Sequence, residues 1–249
     1  MTPGALKNVL NRNRSHRWTF FWLGLSLLVL FVLSLQIGRY PAPGFISWQQ
    51  FSQDELARLL LFNLRLPRLL TALLLGISLS AAGMVFQMLF ANPLVEPGFL
   101  GVSQGAAFGA ALCIVFLGGS AVLVQGVSAI FALAGLGLSY LLARRIRYGG
   151  WVLRLVLSGI AVSALFSAGL GILKYLADPL RQLPEITFWL LGGLSSITWT
   201  QFLSILPATG VGIVLLFLFR WRLNLLALND ETAFAMGAAP NPGRLLRHT

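Results

Sequence analysis

What most constrains this chain is where its charges are missing. Between Arg17 and Arg39 lie 21 consecutive residues without Asp, Glu, Lys or Arg; the intervals 69–95, 97–143, 155–173 and 186–219 hold 27, 47, 19 and 34. A helix needs about 20 apolar residues to cross about 30 Å of hydrocarbon. Four runs therefore hold one span each, and the 47-residue run holds two, with Gly118-Gly119-Ser120 as the turn between them. The expected spans are 18–38, 69–90, 99–117, 121–142, 153–174 and 199–220. Membrane β-strands would appear as alternating segments of about 10 residues, which continuous Leu-rich runs are not. Backbone groups in lipid must bond within their own segment, and helices satisfy that requirement. The expected fold class is all-α, a polytopic membrane helix bundle. Composition agrees: 10% of residues are charged, 57% are hydrophobic and mean hydropathy is +0.82, where soluble domains carry about 25% charge.

A net charge of +11 invites a nucleic-acid reading; its placement argues instead for membrane orientation. With the amino terminus in the cytoplasm, the inner segments hold Lys7, Arg12, Arg14, Arg17, Arg144, Arg145, Arg147, Arg154, Arg220, Arg222, Arg244 and Arg247 against Glu96, Asp230 and Glu231, a net +9. The outer segments hold Arg39, Arg58, Arg65, Arg68, Lys174 and Arg181 against Asp54, Glu55, Asp178 and Glu185, a net +2. This is the positive-inside bias, and no nucleic-acid partner is expected.

Residues 1–17 read as a cytoplasmic basic tail, and 18–222 as the transmembrane bundle. The first span comes after basic residues as a signal peptide would. Its apolar stretch exceeds the usual signal core, however, and Gln36-Ile37-Gly38-Arg39-Tyr40-Pro41 is not a small-residue cleavage site, so a retained helix is expected. In the outer segment 39–68, Ser52 with Glu55 three residues on, flanked by Phe51 and Leu56, predicts a capped surface helix over about 53–63. Pro67 would then open the second span, where its missing N–H costs nothing. The two prolines of 91–98 end that span. Small residues recur every four positions at Gly101, Gly105 and Gly109, and again at Gly159, Ser163, Ser167 and Gly171. Such faces allow close helix contact in lipid, with lining of a transport pathway as the other reading. The single cysteine, Cys113, cannot form an intrachain disulfide and reads as a small apolar packing residue.

The chain lacks most catalytic chemistry. It has two lysines, Lys7 and Lys174, and no P-loop around either. His16 and His248 lie near the ends, and no His, Cys or carboxylate cluster offers a metal site. No ionisable residue sits in the middle of a span, which disfavours a proton relay. Sodium coupling through broken helices stays open. If the chain transports, its energy is expected from another subunit, with no cofactor bound in this chain; an intramembrane enzyme is the least supported class.

Arg65-Leu66-Pro67-Arg68, Gly83-Met84-Val85-Phe86-Gln87, Asn92-Pro93-Leu94, Glu96-Pro97 and Leu100-Gly101-Val102-Ser103 stand in order along the chain. Leu157-Ser158-Gly159-Ile160-Ala161, Lys174-Tyr175-Leu176-Ala177-Asp178-Pro179 and Phe188-Trp189-Leu190-Leu191-Gly192 come after them. Together these motifs resemble the FecCD-type permeases over about residues 60–240. These are membrane subunits of ABC importers for iron chelates (siderophores, haem) and cobalamin.

The resemblance implies an inner-membrane permease working as a pair with a second permease copy. Cytoplasmic ATPase subunits would bind the ATP, and a periplasmic substrate-binding protein would deliver the substrate. Arg65 and Arg68 would accept that protein's carboxylates, a task suited to the planar guanidinium fork. The cytoplasmic segment 223–249 would include the ATPase-coupling helix: Leu228, Asn229, Asp230, Glu231, Ala233 and Gly237 match it, with Asn229 where relatives usually have Gly. Relatives have about ten spans, and Gly243–Thr249 does not lead into a seventh, so about six of ten are expected here. An iron chelate is the expected substrate; cobalamin and molybdate-type anions, or a cation-coupled carrier, are the alternatives.

Overall fold

The computed structural model describes residues 3–38, 40, 44–45, 54–98 and 100–226. The observed elements are α1 (Pro3–Gln36), β1 (Ile37–Gly38), β2 (Gly44–Phe45), α2 (Glu55–Leu60), a π turn (Leu61–Arg65), α3 (Leu66–Phe90), α4 (Val102–Phe116), α5 (Ala121–Arg145), α6 (Trp151–Leu176), α7 (Gln182–Leu191) and α8 (Trp199–Leu226). The two short strands pair antiparallel, Ile37 with Phe45 and Gly38 with Gly44. The chain divides into two compact units, one of residues 1–72 with 197–202, the other of 73–196 with 203–249.

The architecture is the expected polytopic helical one, with corrections in detail. Among the described residues five helices are long and apolar enough to cross a membrane: Arg17–Gln36, Glu55–Phe90, Ala121–Arg145, Trp151–Leu176 and Trp199–Trp221. The expected span 99–117 is shorter. Helix α4 has 15 residues, about 22 Å of rise, less than the hydrocarbon thickness. It starts late because Gly101 takes a left-handed conformation (φ 79°) that begins the helix at Val102. It stops early because Gly118 (φ 85°) and Gly119 (φ 66°) reverse the chain. Residues 3–16, in the basic tail, are helical and continuous with the first span.

The outer segment folds differently from its sequence pattern. Ser52 lies outside the described residues, and the helix cap is Asp54, whose Oδ1 accepts from the N–H groups of Leu56 (2.9 Å) and Ala57 (3.2 Å). A carboxylate at this position also suits the helix dipole. Nor does the helix stop before Pro67. Glu55–Phe90 is a single 36-residue helical stretch with Pro67 inside it. A proline mid-helix removes one backbone donor and clashes with the carbonyl four residues back. The widened π turn over Leu61–Arg65 immediately precedes it, and such insertions accommodate proline.

In the second unit, α4 is the buried helix. Gly105, Ala107, Gly109, Ala110, Ala111, Cys113 and Ile114 are all buried, spread over about two thirds of the helix circumference. Small side chains let α5 and α6 approach it closely. With Val124, Leu170, Leu173, Ala177 and Ile186 these residues form the main apolar core. Three rings close it: Phe108 lies 5.3 Å from Phe131 and 5.5 Å from Phe166, and Phe131 lies 6.3 Å from Phe166. Phe166→Ala is expected to lower stability by about 3 kcal/mol, the lower end for a buried ring, because the unfolded reference already sits in lipid. Phe188→Ala, at a 73%-exposed position, should change little. Unfolding titrations of both variants in mixed micelles check the difference.

Helix α7 was not foreseen as an element. Asp178 Oδ1 accepts from the Leu180 and Arg181 N–H groups at 2.8 and 2.9 Å, while Gln182 Oε1 accepts from the Asp178 N–H at 3.0 Å. This reciprocal pairing starts the helix as a capping box would. Gln182 Nε2 donates to the Val115 carbonyl at 3.1 Å, tying α7 to the end of α4.

Candidate functional site

Arg65 and Arg68 stand three residues apart at the π turn and the start of α3. Arg65 is half-buried, and its Nη1 donates to the Leu35 carbonyl at 3.0 Å. Leu35 lies in the last turn of α1, where carbonyls lack helical donors, so the guanidinium also caps α1. Gly38 makes room for it: a Cβ there would collide with the Arg65 guanidinium. Pro67 is fully buried. Arg68 is half-buried, and its Nε is buried without a hydrogen-bond partner. Thr71 Oγ1 donates to the Pro67 carbonyl at 2.8 Å. Tyr40 lies in the same unit. Desolvation, then a hydrogen bond to Asp54 and that carboxylate's charge, push its hydroxyl above the ordinary tyrosine range.

Sequence reading missed Trp199 here. Its Nε1 donates to the Phe62 carbonyl at 2.8 Å, inside the π turn. Thr198-Trp199-Thr200-Gln201 carries the signal that could have drawn attention to it, since Gln201 Oε1 accepts from the Thr198 N–H at 2.7 Å in a capping-box pattern.

In the first small-residue stripe, Gly105 and Gly109 lie in the α4–α5 contact and Gly101, the residue before α4, meets both α5 and α6. A Cβ on Gly105 would meet the Phe131 carbonyl, one on Gly109 would lie 2.7 Å from Phe131 Cβ, and one on Gly101 would lie 2.9 Å from Val162 Cγ1. Gly135 of α5 answers from the other side, its Cβ position 2.5 Å from the Gly101 carbonyl oxygen. Ser139, fully buried, donates to the Leu100 carbonyl at 2.8 Å.

The second stripe does not stay on one packed face. Gly159 is buried and Ser163 half-buried, but Ser167 and Gly171 are exposed, and nothing lies within 4 Å of a Cβ built on Gly171. Four-residue spacing advances about 40° per step on a 3.6-residue helix, so three steps turn about 120° away from the contact. The residues that pack are Ser158, Gly159, Val162, Phe166, Leu170 and Leu173, with half-buried Gly169 beside them; a Cβ on Gly169 would lie 2.7 Å from the Phe108 ring. The first stripe escapes this drift because α4 is enclosed on several sides.

Arginines cluster where α5 ends and α6 begins. Arg144 lies 5.8 Å from the Tyr140 ring and Arg154 6.0 Å from the Trp151 ring; the two rings meet edge-on at 5.7 Å. Arg154 Nη1 donates to the Ile146 carbonyl at 3.0 Å. Arg220 sits 4.1 Å over Phe217. Aromatic and basic side chains of this kind mark membrane–water interfaces. The coupling residues Leu228, Asn229, Asp230, Glu231, Ala233 and Gly237 lie outside the described residues. Among the described residues no cluster of His, Cys, Asp or Glu could hold a metal ion.

The sequence matches the FecCD transport family over residues 26–247. It belongs to that family. It is 37% identical over 233 residues to the molybdate import permease MolB of Haemophilus influenzae, covering 91% of this chain and 68% of that protein. It is 35% identical to a probable iron chelatin permease of Helicobacter pylori, covering 88% and 69%. The fold superposes on a metal-chelate type ABC transporter solved in an inward-facing conformation, with TM-score 0.78 and 36% identity over 92% of this chain and 71% of that one. This FecCD protein is therefore an ABC-importer permease, a multi-pass membrane subunit and not an enzyme. Membership implies ATPase partners and a permease dimer.

Proposed function

We propose that this permease carries an iron chelate, a siderophore complex or haem, across the bacterial inner membrane, driven by ATP hydrolysed in separate subunits. The observation that carries the reading is the match in fold, at 36% identity, to a metal-chelate type transporter. Two copies would flank one pathway. The amino terminus and the Arg144–Arg147 segment would face the cytoplasm, as the positive-inside bias favours. A periplasmic binding protein would dock on Arg65 and Arg68, and the ATPases would seat against the segment containing Leu228, Asn229, Asp230, Glu231, Ala233 and Gly237. Closure of the ATPases would rock the two permeases between outward and inward access. A second substrate reading, a molybdate-type anion, is favoured by the 37% identity to MolB.

The test is uptake into proteoliposomes holding the permease, its ATPase and its binding protein. Radiolabelled ferric siderophore, haem and molybdate are offered in turn. Ferric-chelate uptake is expected to require ATP on the ATPase side and to vanish with a hydrolysis-dead ATPase. Preferential molybdate uptake selects the second reading. Uptake that needs an ion gradient and no ATPase overturns both.

A further inference from the structure

We propose that Trp199 is the positioning residue of the outer arginine site: its indole N–H stands in for the backbone donor that Pro67 lacks, and so fixes the π turn that sets Arg65 and Arg68. The inference rests on the docking reading of those two arginines and adds the residue that holds them in register.

In a π turn each carbonyl accepts from the N–H five positions on, and the Leu66 N–H does donate to the Leu61 carbonyl. The next carbonyl, that of Phe62, would look to residue 67, which is proline and has no N–H. In ordinary α-helical register it would look to Leu66, whose N–H is already committed to Leu61. Trp199 Nε1 donates to this oxygen at 2.8 Å across 137 residues of sequence. A carbonyl that no helical N–H reaches takes another donor, and here the indole supplies it.

Trp199 is itself fixed. It occupies the first position of α8, behind the Thr198–Gln201 pairing. Its ring meets Phe202 edge-on at 5.7 Å, and Phe202 is buried. A tryptophan serving only as an interfacial anchor needs no particular backbone partner. This one points its donor at a turn where Pro67 leaves the chain without a backbone donor. Losing the π turn would remove one residue from the helical count, rotating α2 by about 100° against α3. Arg65 sits at the seam, with Nη1 on the Leu35 carbonyl, and would lose that anchor.

The experiment is a double-mutant cycle in the full permease–ATPase assembly in nanodiscs. Variants are Trp199→Phe, Pro67→Ala, both together, and Arg65→Glu/Arg68→Glu. Two quantities are read: affinity for the transport system's own binding protein, and deuterium exchange of peptides spanning 61–66. Trp199→Phe is expected to weaken binding about 5- to 10-fold, the effect of one lost hydrogen bond, and to speed exchange. Pro67→Ala restores a backbone N–H, so adding Trp199→Phe to it should change binding by less than about twofold, the additivity error of such a cycle. Unchanged exchange in Trp199→Phe overturns the proposal, as does a loss of equal size in both backgrounds. If Arg65→Glu/Arg68→Glu binds normally while Trp199→Phe still speeds exchange, the docking reading fails and the turn-fixing role stands. If Trp199→Phe does not assemble, assembly of the double variant supports the proposal and its failure overturns it.

Discussion

Gly105→Ala, the addition of one methyl group, is expected to cost this permease more than about 3 kcal/mol, beyond the usual range for overpacking. The new carbon would collide with the Phe131 backbone oxygen and lie 3.1 Å from its carbonyl carbon and 3.5 Å from Ala132 Cα. All three are backbone atoms, so no side-chain rotation relieves the clash; α4 and α5 must separate. Separation opens the ring cluster of Phe108, Phe131 and Phe166 and strains the Ser139–Leu100 hydrogen bond. In lipid the helices gain little from hiding apolar surface, so close contact itself holds them together. Gly171→Ala is the internal control, since nothing lies near its Cβ position. It should be neutral or stabilising by up to about 1 kcal/mol, the helix propensity difference. Thermal melts of the purified protein in detergent measure both, and equal stability of the two variants would contradict this account of the core.

That contrast shows what the sequence could and could not reveal. The crossings were legible because lipid imposes one crude requirement, a long run without charge, and the runs at 121–142, 153–174 and 199–220 met helices of nearly those bounds. The turn at Gly118-Gly119 was legible because both glycines take left-handed conformations that other residues avoid. Which small residues pack was legible only for the enclosed helix α4. For α6 the four-residue spacing looked identical, and only the neighbouring helices decide that Gly159 is covered while Gly171 is bare.

The motif Arg65-Leu66-Pro67-Arg68 was visible in the sequence, but its mechanics were not. A π turn has no residue signature of its own: Pro67 follows one, while Pro207 is carried inside α8 without one. Two of the groups that stabilise it, Trp199 and the Leu35 carbonyl, are remote in sequence. Local pattern also favoured Ser52 as the cap, because Ser-x-x-Glu satisfies one motif, whereas Asp54 satisfies two backbone donors at once. Helix α7 went unseen because its 10 residues are too few to span, and its starting signal, Asp178 with Gln182, is polar chemistry rather than periodicity.

Arg65→Glu/Arg68→Glu is expected to weaken binding-protein docking about 100-fold, which at 1.4 kcal/mol per decade is near 3 kcal/mol. The magnitude comes from replacing charge-assisted contacts with repulsion at two positions. Uptake should fall in step, while ATP hydrolysis by the assembly without binding protein stays as it was. The two positions are not equivalent. Arg65 has one nitrogen on the Leu35 carbonyl, so its reversal also uncaps α1. Arg68 keeps a buried Nε with no partner, so its loss removes charge and leaves the Leu35 cap of α1 in place. Arg68→Glu alone should therefore weaken docking with little change in melting temperature, and Arg65→Glu should lower both. If the partner's carboxylates are what these arginines meet, wild-type affinity should fall with added salt and the doubly reversed variant should lose that dependence, since screening acts on opposite charges. Carboxylate-to-lysine changes on the binding protein should then restore affinity to the reversed permease. Wild-type affinity in the double variant, at low and high salt alike, would show that the partner docks elsewhere and would leave Arg65 with its capping role alone.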